Sequence, residues 1–272
     1  LQITFKEIYM KNYLVIGNPI EHSLSPKLHN YWIKQNNIQA IYKKSKIEKK
    51  DLKDLVFRIK KEEINGVNVT VPFKNDVIEY LDQLSPESQS TQSVNTIFLM
   101  NDKVVGHNTD IYGFEAAIKD TKFDLTNKKV FILGAGGVVP SIIFALNKLK
   151  VTEIKLCNRT KSKAENLKKL FKNLKIIDWG EISDSDMIIN ATSIGLNNED
   201  KMPFKFSDFG KNKFFYDIIY NPSETDFLKK AKNLGNKIEN GKKMFIYQAA
   251  AAFKIWHKIK PEISEKITKI LD

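Results

Sequence analysis

Cysteine is almost missing from this chain. Cys157 is the only one in 272 residues, which excludes an intramolecular disulfide and the stapled secreted scaffolds that depend on one. Histidine is scarce too: His22, His29, His107 and His257 have no metal-ligand spacing among themselves or with Cys157, so no metal site is expected. No run of about 18 apolar residues and no charged-then-apolar leader is present, so neither a membrane span nor secretion is expected and a reducing cytoplasm is the expected setting. Zinc-finger, RNP and helix-turn-helix signatures are absent, as are fixed-period repeats and low-complexity linkers. Arginine is the rarest charged residue, with Arg58 and Arg159 alone among 44 basic side chains.

What is abundant is lysine. The formal net charge is +12, but the lysines are spread in ones and twos and the aromatic residues sit mostly in apolar runs, so a dedicated nucleic-acid surface is not expected. A field of this sign suits an acidic small-molecule substrate. The length accommodates two domains of ordinary size. Nine residues precede Met10, the first methionine, and the regular pattern begins only after them.

From Tyr13 to Asn101, strand and helix patterns alternate. "YLVIG" reads as a short buried strand; Ser25-Pro26 reads as an N-cap followed by proline at the first helical position, opening a helix to about Asn36. "AIYKKSK" reads as a strand, and residues 51–62 as an amphipathic helix with Leu52, Leu55, Val56 and Ile59 on one face. In "NVTVPFK", Val67, Val69 and Val71 alternate with Asn68 and Thr70, the period of a strand, which Pro72 must end because it has no amide donor. Lys74 therefore stands just past a strand end, where ligands bind in open α/β sheets. A helix is expected over 75–81, then strands at Asn95–Met100 and Lys103–His107 about a turn at Asn101-Asp102.

After a helix over 109–120 a second series follows: "KVFILGAGG", "EIKLCNR", "DMIINATS" and "KFFYDIIYN" are strands with helices between, and the last 30 residues are helical with a break at Pro261. Such alternation predicts parallel sheets and right-handed crossovers, hence an α/β protein of two domains joined near residues 108–120.

"VFILGAGGVVPSIIFAL" places Gly134, Gly136 and Gly137 between an apolar strand and a helix. That is the setting of a dinucleotide fingerprint, in which glycines permit a tight turn and close backbone approach to a pyrophosphate at the helix N-terminus. Ala135 and Val138 belong to the same loop; Val139 takes the third fingerprint position, usually glycine or alanine, and predicts a helix slightly further from its strand. At the end of the next strand, "LCNRTKSK" offers no carboxylate for a ribose hydroxyl but does offer Arg159, with Asn158, Thr160 and Lys161 around it. Arginine in a chain that otherwise uses lysine points to planar phosphate recognition and so to NADP.

The segments "GNPIEHSLSPKLHN", "NGVNVTVPFK", "SVNTI", "GHNTDIYGF", "GAGG", "NRT", "NATSIGL", "YDIIYNP" and "YQAAAAF..W" together resemble shikimate dehydrogenase, in the family's order and over nearly the whole chain. The resemblance implies a substrate-binding catalytic domain over residues 1–110, a Rossmann-type NADP domain over 111–241, and C-terminal helices over 242–272 returning to the first domain. It implies reversible hydride transfer between NADPH and the C3 carbonyl of 3-dehydroshikimate, with Lys74 matching the catalytic lysine and Asp110 its partner. Negative charge developing on the carbonyl oxygen needs a positioned cation or acid.

By the same resemblance Ser23 and Ser25 match the serines that bind the substrate carboxylate, Ser25 having its cap role beside this one. Thr70 and Asn95 match hydroxyl-binding residues, and Gln248 a polar contact from the C-terminal helix, a buried structural amide being its other reading. Tyr220 and Gly241 match positions around substrate and nicotinamide; Ile218 is balanced between that role and plain strand core. Asn190, Thr192, Ser193 and Gly195 shape a turn near the cofactor, and His22 and His107 are structural or surface residues. Lys242 and Lys243 follow Gly241 where the family commonly has a second glycine. The neighbouring reading is a quinate/shikimate dehydrogenase with broader substrate or NAD use; outside enzymes, it is a non-catalytic dinucleotide-binding paralogue. A monomer or homodimer is expected.

Overall fold

The structure, a computed structural model, describes residues 10–196 and 201–271. The segment before Met10 lies outside the described residues. The chain divides into two compact units, Leu1–Thr109 with Ala249–Asp272, and Asp110–Gln248. The second boundary falls inside a helix, so residues 242–248 count with the second unit.

In chain order the first unit contains β1 (Lys11–Gly17), α1 (Ser25–Gln35), β2 (Ala40–Lys46), α2 (Leu52–Lys60), β3 (Gly66–Val69), β4 (Gln83–Leu84), α3 (Pro86–Thr91), β5 (Thr96–Met100) and β6 (Lys103–His107). Its sheet runs β2-β1-β3-β5-β6-β4. β1, β2 and β3 are parallel as strand–helix alternation requires, but β5 is antiparallel to β3 and β6, so the sheet is mixed. Asn101 and Asp102 both take positive φ in the β5–β6 turn, a conformation these residues tolerate.

α2 buries Leu52, Leu55, Val56 and Ile59 against Ile16, Val67, Val69 and Ile97 of the sheet. Strand alternation sends Tyr13 to the other face, where Trp256 lies 5.0 Å away. The Trp256 indole covers Gly66 so closely that a Cβ there would strike it, and its Nε1 donates to the Ile97 carbonyl (3.2 Å). Trp32 of α1 donates to the Glu262 carbonyl (3.0 Å), fastening the C-terminal segment to the same face.

Local expectations shift in three places. Ser25 is the first residue of α1 rather than its cap, and the hydroxyl that accepts a first-turn amide is that of Ser23, from Ser25 N at 3.3 Å. β3 ends at Val69: Thr70 N still donates to the Ile16 carbonyl, but Val71 is 49% exposed and its carbonyl accepts from Asn18 in the loop after β1. The expected helix over 75–81 is a 3-10 turn, Asp76–Tyr80, a geometry suited to so short a piece.

The second unit comprises α4 (Asp110–Asp120), β7 (Lys129–Leu133), α5 (Val139–Lys148), β8 (Glu153–Cys157), α6 (Lys161–Leu170), β9 (Leu174–Ile176), β10 (Met187–Asn190), β11 (Phe214–Asp217), α7 (Asp226–Asn233), β12 (Lys237–Glu239) and the first part of α8 (Lys242–His257). α9 (Glu265–Leu271) belongs to the first unit and packs on α1. Every strand pairing in the second sheet is parallel, in the order β12-β11-β10-β7-β8-β9. One apolar core includes α4, α5 and one face of the sheet; the other packs Phe131, Phe215, Phe204 and Phe227, with Trp179 edge-on to Phe204. The order reverses between β7 and β10, the place where doubly wound sheets open a crevice. Among the described residues no helix is long and apolar enough to cross a membrane.

Candidate active site

The parallel pairing of β1 with β3 brings the loops after both strands together at the carboxyl end of the first sheet. Ser23 and Ser25 lie in and just beyond the first loop, Thr70 and Lys74 in the second. Thr70 presses its methyl group toward Gly17, where no Cβ would fit. Lys74 is only 9% exposed, and its carbonyl accepts the Val94 amide (2.8 Å), which holds this turn against the segment leading into β5. Asn95 arrives at the same strand end because β5 runs antiparallel to β3, with its carbonyl accepting Val69 N (2.9 Å).

Around Asn95 the unit carries a buried polar seam. Thr109 N donates to Asn95 Oδ1 (2.8 Å), Asn95 Nδ2 to Thr109 Oγ1 (3.0 Å), and Asn68 Nδ2 to the Asn95 carbonyl (3.0 Å) and Thr96 Oγ1 (3.1 Å). Tyr42 closes it by donating to Asn68 Oδ1 (2.7 Å). Asn68, Tyr42, Thr96 and Thr109 have no site role in the sequence reading, where Asn68 alternates with valines as a solvent-facing strand residue would; in the structure all four residues of β3 are buried. His22 is exposed and His107 sits on β6, its imidazole held below the usual range by burial.

In the second unit Asp110, 6% exposed, is the first residue of α4, where the helix dipole favours a carboxylate. Gly134 follows β7 at φ +108°, with its amide on the Cys157 carbonyl (2.8 Å), and a Cβ there would meet Ala191 and Thr192 beyond β10. The turn therefore sits at the β7–β10 switch point. Gly136 and Gly137 are exposed, and Val139 opens α5 fully buried. Asn158 ties this loop to the end of β8: its Oδ1 accepts Ala135 N (3.0 Å) and its Nδ2 donates to the Thr160 carbonyl (2.8 Å). Arg159 and Thr160 are exposed beside it, and Lys161 pairs with Asp178 (2.8 Å).

Thr192 is held by Asn190, whose Oδ1 accepts from its amide and hydroxyl (3.1 and 2.7 Å) and whose Nδ2 reaches Asp217 (3.0 Å). Burial pushes the Asp217 carboxyl up to about 6, against donors from Thr225, Ile219 and Asn190. Ile218 packs on the core, and a side chain at Gly241 would overlap its carbonyl. Tyr220 stacks on Phe245 (4.7 Å), its phenol pushed up to about 12 by burial. Gln248 Nε2 donates to the Phe245 carbonyl (3.0 Å), and α4 passes close beneath at Gly113. α8 begins at Lys242, whose amide is received by Asn240 Oδ1 (3.0 Å), and Lys243 pairs with Asp120 (3.0 Å).

Residues 15–97 match the family described as shikimate dehydrogenase substrate binding domain, and residues 115–220 the family shikimate / quinate 5-dehydrogenase. A shikimate dehydrogenase (NADP(+)) of Pelagibacter ubique is 55% identical over 262 residues, 96% of this chain and 99% of its own. The chain belongs to the shikimate dehydrogenase family. Among solved shikimate dehydrogenases, one in complex with NADP+ has a TM-score of 0.89 at 34% identity, covering 96% of this chain and 94% of its own. Another, from Thermus thermophilus in complex with NADP(H) and shikimate, has a TM-score of 0.87 at 29% identity, covering 96% and 98%.

The second unit of this shikimate dehydrogenase family member fits a dinucleotide phosphate. A Cβ at Gly136 would meet only the Ala191 carbonyl, at 3.6 Å, so there is space beside Gly136 for a ligand to approach. The end of β8 presents the Arg159 cation and no carboxylate from 158 to 161. Among the described residues no group of three or more His, Cys, Asp or Glu could hold a metal.

Proposed function

We propose that the protein catalyses the reversible NADPH-dependent reduction of 3-dehydroshikimate to shikimate, on the route to chorismate and the aromatic amino acids. The observation that carries this reading is Lys74, a lysine only 9% exposed in the turn beyond the carboxyl end of β3, where its carbonyl holds Val94 next to Asn95 in the segment leading into β5. The cofactor supplies the hydride. Lys74 stabilises the negative charge that develops on the carbonyl oxygen and delivers the proton there, with Asp110 as its carboxylate partner. Ser23 and Ser25 anchor the substrate carboxylate, and Thr70, Asn95, Tyr220 and Gln248 bind and orient the ring.

The loop Gly134–Val138 and the N-terminus of α5 receive the pyrophosphate; Arg159, with Asn158, Thr160 and Lys161, receives the 2′-phosphate. Thr192, Ile218 and Gly241 flank the nicotinamide. In this reading the first unit is the substrate and catalytic domain and the second the NADP domain. The protein works as a monomer or homodimer in the cytoplasm, a setting that suits a chain whose one cysteine is buried and unpaired.

The test is absorbance at the NADPH band after mixing protein with shikimate and NADP or NAD, then with quinate in place of shikimate. Fast reduction of NADP by shikimate is expected. Preference for quinate with NAD would replace this reading by a quinate dehydrogenase, and no signal from folded protein would remove the catalytic reading.

A further inference from the structure

We propose that Tyr42 is a positioning residue for this reaction, its hydroxyl setting the amide of Asn68 and through it the hydroxyl-binding end at Asn95. The proposal rests on the shikimate reading above and adds a residue that touches neither substrate nor cofactor.

Tyr42 stands on β2, an edge strand of the first sheet, yet it is 2% exposed. Its backbone is clamped by one side chain of α1: Asn30 Nδ2 donates to the Tyr42 carbonyl (2.8 Å), and Tyr42 N donates to Asn30 Oδ1 (2.9 Å). The Asn30 amide thereby replaces the strand neighbour that an edge lacks. The ring is fixed as well, lying parallel to the His29 imidazole at 4.2 Å with 3° between planes. Backbone and ring are thus held independently of the hydroxyl.

That hydroxyl joins β2 to the candidate site. It donates to Asn68 Oδ1 on β3 (2.7 Å). Asn68 consequently turns its Nδ2 toward β5, where it meets the Asn95 carbonyl (3.0 Å) and Thr96 Oγ1 (3.1 Å). Thr96 Oγ1 in turn donates to Asn95 Oδ1 (3.0 Å). The amide of Asn68 has one orientation that satisfies all these partners, because its oxygen must face a donor and its nitrogen two acceptors. Taking away the Tyr42 hydroxyl leaves a buried acceptor on Asn68 without its donor, so the amide that faces Asn95 loses its setting.

Tyr42→Phe is the test, since it keeps the ring on His29 and the Asn30 clamp. The expected result is a KM for shikimate raised by about 10-fold, with kcat reduced no more than about 3-fold and KM for NADP unchanged. The melting temperature should fall by no more than about 5 °C. Thr96→Val, which removes the hydroxyl link between the Asn68 and Asn95 side chains but leaves the Asn68 bond to the Asn95 carbonyl, is expected to give the same split in smaller measure. An unaltered KM for shikimate in a folded Tyr42→Phe protein, or KM values for both substrates rising together with a collapse in melting temperature, would overturn the proposal. The side-chain amide resonances of Asn68 and Asn95 supply a readout free of turnover. Both should move in Tyr42→Phe, and a shift confined to Asn68 would refute transmission along the seam. If the wild-type protein reduces no NADP with shikimate, the functional reading fails by that observation, while the resonances still decide the seam.

Discussion

The loops around β3 and β5 in the first unit present side chains to the candidate site, and the loop after β7 in the second presents backbone. Ser25, Asn68, Lys74, Asn95 and Thr109 are all buried, and the seam bonds Asn68, Asn95 and Thr109 to one another, whereas the loop after β7 is Gly-Ala-Gly-Gly with its last two residues open to water. A set of buried side chains can carry charge and protons but is intolerant of change, since each lost partner strands another polar group. A backbone loop binds anions through amides that every residue has, and relies on a few flanking side chains, here Arg159, to choose among them.

Lys74→Ala should give the largest effect. We expect kcat to fall by roughly 10² to 10⁴-fold, the usual range for a positioned acid or base, with a smaller change in KM, read by steady-state kinetics. A variant keeping most of its kcat would remove Lys74 from the chemistry. Arg159→Ala should act on binding instead, raising KM for NADP by roughly 10-fold or more and KM for NAD little, as loss of a charge-assisted phosphate contact implies. Equal effects on the two cofactors would break the contrast.

The smallest effect is on stability in acid, where the buried imidazoles of the first unit and the buried carboxyl of Asp217 in the second should act with opposite sign. Burial holds His29 at about 3 and His257 at about 4, both below the ordinary imidazole. The unfolded chain therefore binds more protons from near pH 6.5 downward, and the first unit loses stability as pH falls through that window. Asp217 is raised to about 6, so the folded second unit binds more protons between about pH 4 and 6, and this group adds stability as pH falls. Hydrogen exchange corrected for intrinsic rates at pH 7 and pH 4.5 should show protection lost first in β1 to β3 and in α8 beyond Gln248. Earlier loss in β7 and β10 would reverse the assignment.

These differences also explain what was readable in advance. Apolar strands running into glycine, and helices with a one-sided apolar stripe such as Leu52 to Ile59, are local patterns, and the structure bears them out. The two- and three-residue strands β4, β9 and β12 carry too little periodicity to stand out, and their pairing comes from the sheets they join. Alternation through Val71 misled because the Val71 carbonyl bonds to Asn18, 53 residues earlier, rather than to a strand neighbour. The seam was hidden for the same reason: Tyr42 and Asn68 are each an ordinary strand residue until the register of β2, β1 and β3 aligns them.

The three tryptophans divide unevenly between the units, and this makes the molecule its own spectroscopic instrument. Trp32 and Trp256 lock the C-terminal segment onto the first sheet, while Trp179 lies against Phe204 in the second. Exciting a Trp179→Phe protein would therefore collect emission from the first unit alone, and the difference from wild type would isolate the second. No dye is needed, and Cys157, buried at the end of β8, would offer none a place to attach.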